Sequence, residues 1–295
     1  MSRHLFHLLN VFAESTFGGN PLCVVENGTD LSDHSMLKLA RQFNLSETVF
    51  LLPSDRADAM LRIFTPTGEL PFAGHPTLGS AFVLQKLKAP IPSLTLETRA
   101  GIVPVTFSGD RFTLATVGGV AAAASRTCEV VTSALCRMLG IEIEDIAAIP
   151  CWIDTGSEQL LVALQSADAV RRIKPNGDFA AHWPANRRGR RNVLAFALDE
   201  RPEAKIGTER QSVSARYFFA GAQGVAEDPG TGSACANLGA WLAMQQRPLP
   251  LHMVIHQGDL IDRPSRLLLD VTSTGEILVG GRVIELGQGW LDLPA

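Results

Sequence analysis

The sequence contains no apolar run long enough to cross a membrane as a helix. A membrane-spanning helix needs about 18 to 20 consecutive apolar residues, and the apolar stretches are shorter than this although 46% of the 295 residues are hydrophobic. The first twelve residues alternate polar and apolar side chains and lack the apolar segment of a signal peptide. These features predict a cytoplasmic protein with no membrane partner.

Paired cysteines and clustered metal ligands are missing too. The five cysteines are scattered and form no C-x-x-C motif, and their odd number suits free thiols in a reducing compartment. His252 and His256 are four residues apart, but the segment around them reads as a strand rather than the helix on which this spacing would place two metal ligands together. We therefore expect no bound metal.

The chain also has no strong charge of one sign and no nucleotide-binding glycine motif. Its formal net charge is −4, and the short basic cluster at residues 187–191 lies in a predicted polar loop without flanking basic residues. Gly230 and Gly232 lack the third glycine and the following lysine that nucleotide-binding loops require. We expect neither a nucleic-acid partner nor a nucleotide cofactor.

A repeated strand–turn–helix pattern is the main feature that the sequence does contain. Residues 62–81 and residues 216–235 each run from an apolar strand through a turn into a helix. Aligned at an offset of 153 residues, His75 matches Asp228, and a proline follows each of them. A chain that makes the same unit twice, half its length apart, is predicted to form two similar lobes.

The hydrophobic periodicity predicts an α+β protein in which many short strands surround few helices. In each of two pseudo-symmetric lobes, the helix that follows the repeated turn is expected to be central. The first lobe is predicted to span residues 1–117, with segment 285–295 returning to it, and the second lobe residues 126–284. The tract of small residues at 118–125 is the predicted crossing linker.

The two predicted helix starts indicate a binding site for a carboxylate. The first turn of a helix carries unpaired N–H groups and the positive end of the helix dipole, so two starts that face each other across a lobe interface would bind an anion. His75 and Asp228 would then lie beside the ligand. The alternative is that both segments are ordinary structural turns.

Glu47 stands at the start of an otherwise apolar, β-branched strand. Glutamate is a poor strand residue and is rarely buried without a partner. Desolvation in apolar surroundings would make its carboxylate a better base. An exposed glutamate on an edge strand is the alternative, and the pattern alone leaves both open.

Several motifs resemble the phenazine-biosynthesis (PhzF-like) isomerase family. They follow that family's order over nearly the whole chain and are Asn44-Leu-Ser-Glu-Thr48, Pro71-Phe-Ala-Gly-His-Pro-Thr77, Glu227-Asp-Pro-Gly-Thr-Gly-Ser-Ala234, Gln257-Gly258 and Arg263-Pro-Ser265. The resemblance implies a diaminopimelate epimerase-like fold, in which each lobe is a β-barrel-like mixed sheet wrapped around a central helix and the site lies in the cleft between the lobes. It also implies a homodimeric, cofactor-independent isomerase similar to trans-2,3-dihydro-3-hydroxyanthranilate isomerase.

The resemblance also implies roles for individual residues. Glu47 takes the place of the acid/base that moves a proton, and His75 and Asp228 take the places of the polar groups that flank a small carboxylated, amino- or hydroxy-substituted substrate. The implied substrate-binding positions are Asn20, Gly74, Thr155, Gly156, Gly230, Thr231, Gly232 and Ser233. One carboxylate can take a proton from one carbon and return it to another two bonds away, as a suprafacial 1,3-shift.

The sequence departs from the family pattern at Asp262, where a glycine is usual, and at Gly230, where alanine is more frequent. The residue at 262 is expected to alter a loop at the edge of the cleft. Racemases of the same fold use two opposing cysteines, but these places hold Gly74 or His75 and Asp228, which argues against a two-thiol mechanism. The alternative functions are an amino-acid epimerase or racemase and a non-catalytic small-molecule-binding protein.

Overall fold

The structure, a computed structural model, describes residues 2–88, 92–203, 210–221 and 224–293. Its contacts divide the chain into two compact units. Unit 1 comprises Met1–Ala115 and Gly280–Ala295, and unit 2 comprises Thr116–Val279. The C-terminal segment therefore returns to unit 1 from Gly280 onward, five residues earlier than predicted.

Unit 1 contains a closed barrel of strands. Its strands are β1 (Ser2–Val11), β2 (Asn20–Val25), β3 (Glu47–Leu52), β4 (Ala59–Thr65), β5 (Gly68–Leu70), β6 (Ser93–Thr98), β7 (Gly101–Ser108), β8 (Arg111–Ala115) and the unit 1 part of β17 (Ile277–Leu293). Neighbouring strands pair in the order β1, β2, β3, β4, β6, β7, β8 and β17, and β17 pairs again with β1. The β5 strand forms a hairpin with β4. The ring of pairings leaves no open edge among these barrel strands.

Two helices pack on this barrel. The central helix α2 (Gly74–Leu87) is buried along most of its length and contacts β1, β2, β3 and β8. Helix α1 (Asp33–Phe43) packs on β3 and β4. It begins after Ser32, whose hydroxyl accepts a hydrogen bond from the N–H of Ser35, and it ends at Asn44 in a left-handed conformation. The prediction of a central helix after the His75 turn is confirmed.

We predict that Gly280→Ala destabilises unit 1, because this glycine lies against the backbone of β8. A Cβ at Gly280 would come 2.7 Å from the carbonyl oxygen of Phe112 and 2.5 Å from Oγ1 of Thr113. Overpacking of this kind costs about 1–3 kcal/mol, and urea unfolding should show the loss. The matched control is Gly287→Ala on the same strand, where a Cβ would meet no atom within 4 Å. Equal stability of the two variants would contradict the prediction.

Unit 2 is a second mixed sheet around a central helix. Its strands are β9 (Ala124–Thr127), β10 (Cys151–Asp154), β11 (Gln159–Ala163), β12 (Arg191–Glu203), β13 (Arg210–Gly221), β14 (Gly224–Asp228), β15 (Leu251–Gln257) and β16 (Ser265–Val271). Its helices are α3 (Gly119–Ala122), α4 (Thr132–Leu139), α5 (Ala167–Arg172) and α6 (Gly232–Met244), and short 3-10 segments span Ile143–Asp145, Gly177–His182 and Asp259–Ile261. Strands β9 to β13 pair successively; β13 also pairs with β14 and β15, and β15 with β16. The central helix α6 is buried along most of its length and contacts β10, β11 and β16.

The segment 118–125, predicted as the crossing linker, contains helix α3 and the start of strand β9. It lies within unit 2. Its helix α3 contacts α6, the N–H of Val120 donates to the carbonyl of Gly275 at 2.8 Å, and the following strand β9 pairs with β10. Of the small residues in this tract, Gly119 is buried, and a Cβ there would come 2.3 Å from the carbonyl oxygen of Gly275.

The register of the internal repeat also differs from the predicted one. Helices α2 and α6 begin at Gly74 and Gly232, so the structural offset at the helix start is 158 residues rather than 153. His75 is the second residue of α2 and corresponds to Ser233 in α6, whereas Asp228 is the last residue of β14. Pro76 misled the alignment because it lies inside the first turn of α2, where a missing N–H breaks no intrahelical bond.

An arginine–glutamate pair occurs in the same place in both units. Arg62 on β4 forms two hydrogen bonds with the carboxylate of Glu69 on β5, at 2.7 and 2.8 Å, and its guanidinium lies over Phe64. Arg216 on β13 binds Glu227 on β14 in the same way, with a shortest distance of 2.6 Å, and lies over an aromatic ring on its own strand. Paired arginine and carboxylate groups of this geometry fix each hairpin that leads into a central helix.

Candidate functional site

A carboxyl–imidazole pair lies at the start of the central helix of unit 1. Glu47 is the first residue of β3, and His75 is the second residue of α2. Their side chains are 15% and 7% exposed, and Oε2 of Glu47 lies 3.3 Å from Nε2 of His75. The structure therefore brings together two of the predicted catalytic residues, and it places Glu47 largely out of solvent rather than on an exposed edge.

His75 is a neutral imidazole at neutral pH. Burial lowers the pKa of His75 to about 3, and a hydrogen bond from the ring to the backbone of Pro21 acts in the opposite direction with smaller effect. Because Nε2 is directed at Glu47, Nδ1 is the nitrogen that donates to the Pro21 carbonyl. A neutral ring that donates from Nδ1 has a lone pair at Nε2, so one proton held between Nε2 and Oε2 of Glu47 turns this contact into an attraction.

Two further predicted residues lie in the same part of unit 1. Asn20 is buried and is the first residue of β2, where it pairs with Val11 of β1. Gly74 is the first residue of α2, and the first intrahelical hydrogen bond is the one that the N–H of Thr77 donates to Ala73. The N–H groups of Gly74 and His75 precede that bond, so they are the helix-start donors of unit 1.

Asp228 belongs to a hydrogen-bonded turn at the start of the central helix of unit 2. The hydroxyl of Thr231 donates to Oδ2 of Asp228. The amide of Gln257, buried at the end of β15, donates to the carbonyl of Asp228 at 2.8 Å and to Oγ1 of Thr231 at 3.0 Å, and it accepts from the N–H of Thr231 at 3.2 Å. Since Thr231 uses its only hydroxyl proton on Asp228, Oδ2 is an acceptor, as an ionised carboxylate requires.

A glycine and a left-handed aspartate shape the loop beside this turn. Gly258 has φ of 78° and lies so close to Pro229 that a Cβ would come 2.7 Å from its carbonyl oxygen. Asp262 has φ of 55° and ψ of 28°, a left-handed conformation in which glycine has no steric cost and aspartate is tolerated. This backbone conformation explains why a glycine suits position 262.

Thr155 and Gly156 lie in the loop between β10 and β11, and their hydrogen-bond donors are used within unit 2. The N–H and the hydroxyl of Thr155 both donate to Oδ1 of Asn237, at 2.9 and 2.7 Å. The N–H of Gly156 donates to Oδ1 of Asp154 at 2.8 Å. These two residues therefore have a clear structural role in holding the loop.

Ser233 is held by a glutamine from β11. Nε2 of Gln159 donates to Oγ of Ser233 at 2.7 Å and, more weakly, to the hydroxyl of Tyr217 at 3.4 Å. Tyr217 is the cross-strand partner of Asp228, and burial, followed by the negative charge of Asp228, raises the pKa of its phenol. The helix start of unit 2 thus combines Gly230, Thr231, Gly232 and Ser233 with a buried polar network.

The sequence reasoning did not identify the residues that hold these turns. Asn237, Gln159 and Gln257 are all buried, with exposed fractions of 1% or less. A signal was present for Asn237, because it is a polar residue inside a helix that is otherwise apolar on nearly every side. Gln257 stood in a recognised motif without a role. Gln159 had no signal, since strands carry glutamine on either face.

Metal-binding geometry is not found among the described residues, which contain no group of three or more histidine, cysteine, aspartate or glutamate side chains placed to hold an ion. Cys235 is buried in α6 and burial raises the pKa of its thiol. A buried thiol of this kind is a poor nucleophile or base. None of the helices described in the structure is long and apolar enough to span a membrane.

Comparison with known proteins gives consistent matches over almost the whole chain. The sequence profile of the phenazine biosynthesis-like protein family (PhzC-PhzF) matches residues 9–286. An isomerase of Pasteurella multocida, itself uncharacterized, is 41% identical over all of this chain and 96% of its own length. The trans-2,3-dihydro-3-hydroxyanthranilate isomerase of Pseudomonas aeruginosa is 34% identical, over 92% of each chain.

A solved structure supports the fold. The crystal structure of a Bacillus anthracis phenazine biosynthesis protein of the PhzF family superposes with a TM-score of 0.85, covering 99% of this chain and 100% of that one. At 23% sequence identity this similarity concerns the fold alone. It confirms the predicted α+β class with a barrel-like mixed sheet around each central helix.

Proposed function

Because the chain belongs to the phenazine biosynthesis-like (PhzF-like) family and is an isomerase, we propose that it moves a proton between two carbons of a small carboxylated substrate that bears an amino or hydroxyl group. The observation that carries the proposal is the contact between Oε2 of Glu47 and Nε2 of His75, at 3.3 Å. A carboxyl group held beside a neutral imidazole, mostly out of water, is suited to take up a proton and give it back. Glu47 is the proposed acid/base.

His75 supports Glu47 by staying neutral. If the imidazole were permanently charged, it would hold Glu47 as a carboxylate and oppose its reprotonation. Burial lowers the pKa of His75 to about 3, so the ring presents a lone pair at Nε2 that accepts a hydrogen bond from Glu47 when Glu47 is protonated. We propose that this allows one carboxyl group both to accept the proton from the substrate and to return it.

The remaining groups of the proposal bind the substrate. The helix-start amides of Gly74 in unit 1 and of Gly232 in unit 2 are suited to a carboxylate because they lie at the positive ends of buried helices. Asp228, with Oδ2 in use by Thr231, is suited to accept a hydrogen bond from an amino or hydroxyl group. Asn20, Thr155, Gly156 and Gly230 are proposed to shape the site around these donors and acceptors.

An amino-acid epimerase or racemase is the less favoured function. Two-base racemisation requires two groups that reach opposite faces of one carbon. Glu47 and His75 are 3.3 Å apart and therefore act as one proton site. Cys235, the cysteine nearest in sequence to the Asp228 turn, is a buried residue of α6, so it does not offer a second base there.

The test is the fate of hydrogen during turnover in deuterated water. With trans-2,3-dihydro-3-hydroxyanthranilate, the substrate in the name of the Pseudomonas relative, we expect a product whose double bond has moved and which carries part of the original hydrogen. The control is a panel of amino and hydroxy acids, on which an epimerase would place deuterium at the starting carbon without moving a double bond. Deuterium exchange confined to that panel would refute the isomerase proposal, and absence of both reactions would indicate a binding protein.

A further inference from the structure

Four side chains of unit 2 form a continuous chain of hydrogen bonds, which we call the buried amide chain: Thr155, Asn237, Gln159 and Ser233. The hydroxyl of Thr155 donates to Oδ1 of Asn237 at 2.7 Å, and Nδ2 of Asn237 donates to Oε1 of Gln159 at 2.7 Å. Nε2 of Gln159 then donates to Oγ of Ser233 at 2.7 Å. The two amides are almost completely buried, at 0% and 1% exposure, whereas Ser233 is partly exposed.

The direction of the buried amide chain is determined by backbone groups. Oδ1 of Asn237 faces the N–H of Thr155, which can only donate, and Nδ2 faces the carbonyl oxygens of Ile153 and Ser157, which can only accept. The orientation of this amide is therefore unambiguous. It forces Gln159 to accept at Oε1, and so to present Nε2 to Ser233.

The end of the chain leaves the Ser233 hydroxyl with a defined role. A hydroxyl that accepts a strong hydrogen bond from an amide has its own proton left to donate elsewhere. Ser233 is the second residue of α6, at the helix start where N–H groups and the helix dipole favour an anion. Its hydroxyl proton thus adds to the donors of a carboxylate site.

We propose that Gln159 and Asn237 are positioning residues that orient the Ser233 hydroxyl as a hydrogen-bond donor to the substrate carboxylate. The inference rests on the proposed function in that it takes the substrate to be a carboxylate. It assigns a purpose to two fully buried amides that contact no reacting atom. A network with only a structural role would not need hydrogen bonds that all run in one direction and end at a partly exposed hydroxyl.

The experiment is a double-mutant cycle between Gln159→Met and Ser233→Ala, read out by calorimetric binding of two probes. Anthranilate carries the carboxylate, and aniline lacks it. Gln159→Met removes the amide without adding charge, and we expect it to weaken anthranilate binding about 10-fold and aniline binding less than about 2-fold, since a hydrogen bond to a charged group contributes at least that much. In the Ser233→Ala background the same change should have little further effect, because the hydroxyl it orients is gone.

The matched control is Gln165→Met, which alters an exposed glutamine of unit 2 that donates to the carbonyl of Ile146, and which should leave the binding of both probes unchanged. Thermal unfolding of every variant establishes that it is folded.

Two results would overturn the inference. One is that Gln159→Met weakens the binding of anthranilate and of aniline equally. The other is that the fold-changes in anthranilate Kd caused by Gln159→Met and Ser233→Ala multiply in the double variant. A wild-type protein that binds anthranilate no better than aniline would overturn it as well. Because these measurements need no turnover, they separate the inference from the proposed function. A protein that binds anthranilate through Ser233 but shows no isomerisation would contradict the proposed function alone.

Discussion

Replacing Glu47 with glutamine is expected to reduce kcat/KM for isomerisation by about 10³-fold or more, while ligand binding changes by less than about 3-fold. General acid–base catalysis by a positioned side chain contributes typically 10²–10⁴-fold. Glutamine has the size of glutamate and can still hydrogen-bond to the neutral His75 ring, but it cannot carry the transferred proton. Steady-state kinetics on the isomerisation substrate and calorimetric binding of anthranilate measure the two quantities separately.

The matched control is Glu144→Gln, which removes one negative charge from an exposed position of unit 2 and should leave kcat/KM unchanged. Glu47→Asp is the informative second variant, since it keeps a carboxyl group but withdraws it from His75. We expect it to lose much of kcat, because a displacement of about 1 Å costs on the order of 10²-fold. Near-normal turnover by Glu47→Gln would contradict the assignment of the acid/base.

The sequence contained the information for the local elements around Glu47. A glutamate at the first position of an apolar strand is an unusual residue choice, and the structure places it 15% exposed against a buried histidine. The helix after His75 was predictable because proline, glycine and small residues mark a helix start. Both features depend on short-range chemistry, which sequence patterns report well.

The register of the repeat was not predictable in the same way. The alignment matched His75 to Asp228 because a proline follows each, but a proline can lie outside a helix or within its first turn at no cost in hydrogen bonds. The structure pairs Gly74 with Gly232 and thereby His75 with Ser233. The two units therefore carry different side chains at equivalent helix positions, an imidazole in one and a hydroxyl in the other.

The partners of the buried amides were beyond prediction because they are distant along the chain. Asn237 bonds to groups 78 to 84 residues away, and no local pattern specifies such contacts. Buried polar side chains need partners, so a buried asparagine implies a network without identifying its members. Sequence reasoning could place the donors of the helix starts but not the buried amides that hydrogen-bond to them.

Acid is expected to destabilise the folded protein through His75. The unfolded histidine titrates near pH 6.5, whereas in the folded protein burial lowers the pKa of His75 to about 3. Between these values the unfolded chain binds a proton that the folded chain does not, so stability falls as the pH falls, by about 1.4 kcal/mol per pH unit. At pH 4.5 the loss from this residue should be about 2–3 kcal/mol relative to pH 8, and it should stop growing below about pH 3.

Urea unfolding of the wild type and of His75→Gln at pH 7 and pH 4.5 isolates this contribution, because glutamine does not titrate. On acidification from pH 7 to pH 4.5, the unfolding free energy of the wild type should fall by about 2–3 kcal/mol more than that of His75→Gln. His34→Gln, which alters an exposed histidine of α1, is the control and should follow the wild type. If His75→Gln lost stability in acid as steeply as the wild type, the pKa of His75 in the folded protein would equal its unfolded value, and burial would not be what keeps the ring neutral.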